Sequence, residues 1–187
     1  RVLGEHPGIV VVADDMYEKI YWADEPFTTF AAACPELFER TVTVNGVSKA
    51  YAMTGWRIGY AAGPAELIAA MATVQSQCTT NACSVSQAAA AAALDGDQSC
   101  VETMRHKLFE RKALCCARLD RLGDFFSYVP PKGAFDVMGR YLFSDAPSQE
   151  IATRLLQEAR VITIPGGAFG PGGEGHLRIS FGAIPEV

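Results

Sequence analysis

The stretch SKAYAMTGWRIGY, Ser48–Tyr60, places Lys49 and Arg57 eight residues apart on one short connection. The segment 41–44 precedes this stretch, and the segment 57–62 overlaps its end. Both segments have the composition of short strands. The segment 47–56 is too short for the helical crossover that joins parallel strands, which needs about a dozen residues. We therefore predict a functional loop between two strands of an α/β sheet.

A carboxylate lies at the end of another predicted strand, upstream of this loop. Gly8 to Ala13 is a continuous apolar run, typical of a strand covered on both faces in a parallel sheet. Asp14 follows at once, where open α/β sheets bind their ligands, and Tyr17 comes three residues later. An aspartate after a strand is by itself more often a turn residue. Both interpretations of Asp14 remain open at this point.

Three helices are predicted in the middle of the chain. The first begins at Pro64 and loses its apolar periodicity at Gln75, and the second is alanine-rich and begins at a Ser84 cap. The third begins near an Asp97 cap and ends at Gly123, and its length is typical of a helix that joins two domains.

After this helix the pattern changes to short strands around one helix. The predicted strands are 125–129, 134–138, 161–164 and 177–181, and the predicted helix is 149–160. This order indicates an α+β unit. We therefore expect two domains, with residues 1–95 in a larger one and residues 96–187 supplying the joining helix and a smaller one.

Composition excludes several classes of protein and partner. Of the 187 residues, 49% are hydrophobic and 20% charged, which is typical of a globular protein with a sizeable core. The net charge of −5, with the basic residues scattered, disfavours the binding of nucleic-acid phosphates, so we expect no nucleic-acid partner. The longest apolar runs are far below the roughly 20 residues that span a bilayer, so we expect no membrane partner either.

The cysteines, histidines and glycines contain no recognisable binding motif. Six Cys and three His form no CxxC or HExxH pair, so we predict no metal site and expect reduced thiols in a cytoplasmic protein. The segment Gly170 to Gly175 satisfies G-x-G-x-x-G. It precedes a predicted strand, whereas a dinucleotide-binding fingerprint follows one and opens a helix.

The Ser48–Tyr60 stretch resembles the cofactor-lysine motif of the fold-type I pyridoxal-phosphate aminotransferases. It is most similar to the bacterial aspartate aminotransferases of subgroup I-beta, and the Asp14-x-x-Tyr17 and Arg178 segments occur in the order that this family has. The resemblance covers essentially the whole chain. It implies the C-terminal part of the family's large domain, with a mixed, mostly parallel sheet, followed by a smaller α+β domain.

The resemblance also implies roles for five residues that bind pyridoxal 5'-phosphate. Lys49 would form the Schiff base with the cofactor and then move the proton, because an amine can both condense with an aldehyde and act as a base. Asp14 would pair with the pyridinium nitrogen and Tyr17 would hydrogen-bond to the phenolate oxygen. Ser48 and Arg57 would hold the phosphate. A Ser48 hydroxyl that only caps its own backbone is the alternative.

Two residues of the second half would contact the substrate. Arg178 lies in a predicted strand among apolar neighbours, so its guanidinium needs an anion, and in the family this position binds the substrate α-carboxylate. A surface arginine on an edge strand is the alternative. Phe135 resembles the aromatic residue of the small domain that closes over the substrate, but it could equally be a core residue.

The implied reaction is transfer of an amino group from aspartate to 2-oxoglutarate by a ping-pong mechanism in a homodimer. Family members are about twice as long, so we expect this chain to be the C-terminal half and to be inactive alone. Residues 75–87 contain no Arg or Lys, which fits subgroup I-beta but leaves the preference for dicarboxylates open. The alternatives are an alanine or aromatic aminotransferase, a lyase, or the effector domain of a transcriptional regulator.

Overall fold

The computed structural model describes residues 2–183, and these form two compact units. The boundary lies between Thr103 and Met104, further along the chain than residue 95. It falls inside a long helix. The two units are described separately below.

The first unit contains a three-stranded sheet and four helices. Its strands and α-helices are β1 (Val11–Asp14), α1 (Phe30–Ala33), β2 (Thr41–Gly46), α2 (Val47–Ala50), β3 (Gly59–Ala62), α3 (Ala65–Cys78) and α4 (Ser84–Asp95). Short 3-10 helices cover Val2–Glu5, Pro35–Arg40 and Thr54–Trp56. The central strand β2 runs parallel to β1 and antiparallel to β3, so the sheet is mixed.

The first strand is shorter and more exposed than its sequence predicts. It begins only at Val11, and the expectation that it is covered on both faces is wrong, since Val12 is 67% exposed. A strand is covered on both faces only when other elements pack on each side. Among residues 2–183, β1 pairs only with β2, and it is β2 that contributes the buried Val42.

The two following helices differ from the sequence prediction at their ends. The helix α3 continues past Gln75 to Cys78, and within it the Thr73 and Ser76 hydroxyls donate to the carbonyls of Ala69 and Thr73. The predicted Ser84 cap of α4 is wrong by one residue. Ser84 is already helical, and the extended residue before the helix is Cys83.

The second unit is an antiparallel sheet with one short helix and most of a long one. Its elements are α5 (Ser99–Asp120, which begins in the first unit), β4 (Phe126–Tyr128), β5 (Asp136–Tyr141), α6 (Ser148–Arg154), β6 (Ile164–Pro165) and β7 (His176–Ser180). A π-helical turn at Leu155–Ala159 extends α6, and 3-10 helices cover Gly166–Phe169 and Pro171–Gly173. The strand order is β4-β5-β7-β6, and the core contains Tyr141, Ile151, Ala152 and Leu177.

Two strands of this unit start later than predicted, each after a residue with left-handed backbone. Ala134 has a φ of 59°, so the extended strand β5 begins only at Asp136. Arg160 also has a φ of 59° and ends the helical segment, and the following strand is confined to Ile164–Pro165. No helix within residues 2–183 is long and apolar enough to cross a membrane.

Candidate active site

Asp14 ends strand β1 with its carboxylate exposed at the carboxyl edge of the sheet. Its Oδ1 accepts a hydrogen bond from the backbone N–H of Met16 at 3.2 Å, so the carboxylate also forms a turn. Asp14 is paired in register with Val44 of the parallel strand β2. The carboxyl ends of both strands therefore lie at the same edge, where ligands bind in open α/β sheets.

Lys49 lies in the short helix α2, which follows β2 directly. Its Nζ is 5.9 Å from the centre of the Tyr17 ring, within the range of a cation–π contact. Both side chains are half-buried. The structure thus brings an amine and a phenol together at the edge that carries the Asp14 carboxylate, although the two residues are far apart in sequence.

Close backbone packing fixes where this helix starts. A Cβ on Gly46 would lie 2.9 Å from the Ile58 carbonyl oxygen and 3.1 Å from Cε of Met16, so only glycine fits without a shift. The buried Asn45 accepts a hydrogen bond from the Gly46 N–H at 2.7 Å. Sequence reasoning missed these two residues, and the available signal was the Asn-Gly pair that Val47 separates from the start of the motif.

Arg57 and Ser48 lie on either side of this connection. Ser48 is half-buried in α2, next to Lys49. Arg57 is exposed, has a left-handed backbone with a φ of 55°, and donates from Nη1 to the Thr54 carbonyl at 2.9 Å. Arg57 lies two residues before Gly59, and Gly59 pairs with Gly46, the last residue of β2. Ser48 and Arg57 therefore belong to the same edge of the sheet as Lys49.

Asp15 is a second carboxylate at this edge, and sequence reasoning did not single it out. Its backbone N–H donates to the Val44 carbonyl, and its side chain is buried, with no hydrogen-bond partner for Oδ2 in the described part of the chain. Burial raises the pKa of this carboxyl, and the neighbouring charges of Glu18 and Asp14 raise it further. The doublet Asp14-Asp15 thus contains one exposed and one buried acid.

Arg178 lies in the interior of the second unit's sheet. Strand β7 is flanked by β5 and β6, and Arg178 pairs with Met138 on one side and Ile164 on the other. The alternative of an edge-strand arginine is therefore wrong. Its Nε is 3.8 Å from Oδ1 of Asp136, and the guanidinium carbon is 5.0 Å from the centre of the Phe169 ring.

Phe135 precedes β5 and is tied to the end of β7. Its carbonyl accepts a hydrogen bond from the N–H of Phe181 at 2.9 Å, and its half-buried ring borders Gly182, where a Cβ would lie 3.3 Å from Cδ2. Arg178 and Phe135 therefore belong to one unit, and Asp14, Tyr17, Ser48, Lys49 and Arg57 to the other. No group of His, Cys, Asp or Glu among residues 2–183 is arranged to hold a metal ion.

Comparison with known proteins gives consistent matches. Residues 1–186 match the family model described as aminotransferase class I and II. An aspartate/prephenate aminotransferase of Nitrosomonas europaea is 41% identical over 190 residues, which cover 96% of this chain and 47% of that protein. An aspartate aminotransferase of Rhizobium meliloti is 44% identical over 180 residues, covering 91% of this chain and 44% of that protein.

Solved structures give the same result. The crystal structure of the Rhizobium meliloti aspartate aminotransferase aligns with a TM-score of 0.89 at 40% identity, over 99% of this chain and 48% of that one. An aromatic aminotransferase from Pyrococcus horikoshii aligns with a TM-score of 0.89 at 38% identity, over 99% of this chain and 49% of that one. The chain therefore spans about half the length of the relatives it matches.

Proposed function

Because the chain belongs to the class I and II aminotransferase family, we propose that it carries the cofactor-lysine half of an enzyme that transfers an amino group from aspartate to 2-oxoglutarate. The resemblance inferred from the Ser48–Tyr60 stretch is confirmed, as is the α/β fold of the pyridoxal-phosphate aminotransferases. The observation that carries the proposal is the contact of Lys49 with Tyr17 at the sheet edge that bears Asp14.

The family depends on pyridoxal 5'-phosphate, and the side chains at this edge suit that cofactor. When bound, pyridoxal phosphate supplies an aldehyde and an electron-withdrawing ring. The chain offers an amine for the aldehyde, a carboxylate for the ring nitrogen, and a phenol for the ring oxygen. It also offers a hydroxyl and a guanidinium for the phosphate.

Each of these side chains has a defined task in the proposed enzyme. Lys49 would hold the cofactor covalently and would then take and return a proton as a base. Asp14 would keep a proton on the ring nitrogen, and Tyr17 would donate a hydrogen bond to the ring oxygen. Ser48 and Arg57 bind the phosphate, Arg57 through a planar fork of donors.

The residues of the second unit would bind the substrate. Arg178 takes the α-carboxylate, which every amino acid and 2-oxo acid carries, so it serves both halves of a ping-pong reaction. Phe135 covers the substrate and excludes water. The names of the relatives support aspartate as the amino donor, and those of the aspartate/prephenate group make prephenate a second acceptor to test beside 2-oxoglutarate.

We also propose a homodimer in the cytoplasm. The six cysteines are all free in the described structure, which suits a reducing compartment. Size-exclusion chromatography with light scattering tests the dimer, and fractionation of the source cells tests the location.

Chemical labelling tests the role of Lys49. Borohydride reduction of the full-length protein, loaded with pyridoxal phosphate, fixes the cofactor on the lysine that holds it. We expect peptide mapping by mass spectrometry to find the label on Lys49, since its Nζ lies against the Tyr17 ring at the edge that bears Asp14. The expected result includes loss of labelling in Lys49→Ala.

The exposed Lys19 provides the matched control, because Lys19→Ala removes a nearby amine and should leave the labelling unchanged. Label on Lys19, or on any lysine of the second unit, contradicts the assignment. A full-length protein that is labelled at Lys49 but does not transaminate aspartate would keep the cofactor role and overturn the proposed substrate.

A further inference from the structure

A carboxylate lies diagonally opposite Arg178 in the sheet of the second unit. Strand β5 pairs with β7 so that Met138 is opposite Arg178 and Asp136 is opposite Ser180. Residues two apart on a strand share a face, and so do directly paired residues. Asp136 and Arg178 therefore project from the same face as diagonal neighbours, at a separation that a long side chain can bridge.

The two side chains form an ion pair rather than a hydrogen bond. The distance of 3.8 Å between Nε of Arg178 and Oδ1 of Asp136 exceeds the range of about 2.7–3.2 Å for a hydrogen bond. Asp136 is 18% exposed and Arg178 40% exposed, so water screens the pair only in part. The contact faces the Nε edge of the guanidinium, and a ligand carboxylate can bind the edge formed by the two Nη atoms.

An aromatic ring also contacts the guanidinium. Phe169 lies 5.0 Å from the guanidinium carbon and belongs to the 3-10 helix Gly166–Phe169. Hydrogen bonds hold this short helix to the neighbouring element, since Gly167 N–H donates to the Ser148 hydroxyl, which donates to Glu174. Arg178 thus has a second contact besides Asp136, on an element that is itself held in place.

We propose that Asp136 is a positioning residue that acts as an internal counter-anion of Arg178 and weakens the binding of substrate carboxylates there. This rests on the proposed role of Arg178 as the carboxylate-binding residue. A substrate carboxylate bound at the Nη edge of Arg178 is attracted by the guanidinium and repelled by the nearby Asp136 carboxylate. The repulsion cancels part of the attraction. Because substrate and product both carry an α-carboxylate, Asp136 would weaken the binding of both, and the product acid would dissociate more easily.

A substitution that removes the charge of Asp136 and keeps the shape of its side chain tests the proposal. In the full-length protein we expect Asp136→Asn to lower KM for aspartate and 2-oxoglutarate alike, with little change in the turnover number at saturation. The expected factor is about 3 to 50, the range that Coulomb's law gives for like charges roughly 7 Å apart when the effective dielectric constant falls from about 80 in bulk water to about 20 near a protein surface. Asp136→Glu restores the charge and should restore KM, and the exposed Asp124→Asn changes only the net charge and should leave KM as it was.

Binding of succinate, followed by calorimetry, separates this proposal from the proposed reaction because succinate does not transaminate. We expect Asp136→Asn to tighten succinate binding by the same factor, and the gain to shrink in 1 M salt. The gain should also vanish when Arg178→Gln is present, because the effect acts through that side chain. These binding results stand even if the full-length protein transaminates nothing.

Other outcomes overturn the proposal. Succinate binding that is unchanged or weaker in a folded Asp136→Asn protein shows that Asp136 is no counter-anion. Circular dichroism checks the fold, and Asp136→Ser provides a second neutral variant if the asparagine variant does not fold. If Asp136→Asn still tightens succinate binding when Arg178→Gln is present, the charge of Asp136 does not act through Arg178.

Discussion

At the scale of single residues, a side chain of the candidate site can have a structural role and a chemical role together. Asp14 forms a turn with the Met16 N–H and also presents its carboxylate at the sheet edge, so the two interpretations of this residue do not exclude each other. Lys49 and Tyr17 meet because the strands that precede them are parallel neighbours with a common carboxyl edge. At this scale the residue types supply the chemical groups, and the pairing of the strands brings these groups into contact.

An asparagine at position 14 separates the turn from the charge. Asn keeps an oxygen that can accept from the Met16 N–H, but it cannot hold a proton on the ring nitrogen by charge. We expect full-length Asp14→Asn to bind pyridoxal phosphate, as judged by its absorbance, and to lose roughly 100-fold or more in turnover. Stopped-flow measurement of each half-reaction gives the rate.

The exposed Asp24→Asn is the matched control for this substitution, since it removes a carboxylate of the same unit that lies outside the strands. Turnover of Asp14→Asn close to that of the wild type would mean that Asp14 acts only in the turn.

Among the elements, α6 begins at a cap that comes from far along the chain. Its first position follows Pro147, and no side chain of the N-cap residue makes a capping hydrogen bond. The carboxylate of Glu174, from the loop before β7, accepts from both the backbone N–H and the hydroxyl of Ser148 instead. A negative charge at a helix N-terminus also interacts favourably with the helix dipole. A distant residue therefore supplies the cap that the local sequence lacks.

This cap gives α6 a pH-dependent stability. Hydrogen bonds from Ser148, the backbone N–H foremost, hold the pKa of Glu174 below its ordinary value of 4.5. A lowered carboxyl pKa adds stability above pH 4.5, and this stability is lost as the pH falls through the lower value of the folded state. We expect Glu174→Gln to unfold at lower urea concentration than the wild type at pH 7, and the two to converge as the pH falls below 4.5.

Urea unfolding followed by circular dichroism between pH 7 and pH 3 measures this difference. Asp124→Asn is the control, as an exposed carboxylate of the same unit outside this cap. A difference between wild type and Glu174→Gln that is the same at pH 3 and pH 7 would show that the carboxylate charge has no part in the cap.

For the chain as a whole, the apolar surface around β1 bears on association with other chains. Ile9, Val10 and Val12 are 44%, 49% and 67% exposed, and β1 ends the sheet in the described structure. A flat apolar strand at the end of a sheet is a template for association with another chain. The chain spans about half the length of its relatives, so this surface matters for any experiment on the 187 residues alone.

A charge on this strand should reduce association of the 187-residue chain. We expect Val12→Lys to lower the concentration-dependent increase in mass that light scattering detects, because a lysine on an end strand opposes strand pairing. Val129→Lys is the control, since Val129 is also highly exposed but lies in the second unit, just after β4. Equal association of the two variants and the wild type would show that β1 is not the surface involved.

The sequence by itself determined the family, the α/β fold and the order of the seven described strands and of the helices α3 to α6, but not the short helices α1 and α2. Its long motif restricts thirteen consecutive positions, and hydrophobic periodicity is a local property that neighbouring residues carry. The assignments of Asp14, Tyr17, Ser48, Lys49, Arg57, Arg178 and Phe135 also came from the sequence, and their roles stay predictions. Element ends were less predictable, because backbone conformations such as the positive φ of Ala134 and Arg160 have no clear local signal.

Only the tertiary structure decided which of these residues meet. The register of β5 on β7 places Asp136 beside Arg178, and the return of the loop before β7 brings Glu174 to the start of α6. It also decided that β1 is exposed and that Asp15 is the buried member of its doublet. The physical reason is that pairing partners and burial depend on residues far away along the chain, which no local pattern of residue types specifies.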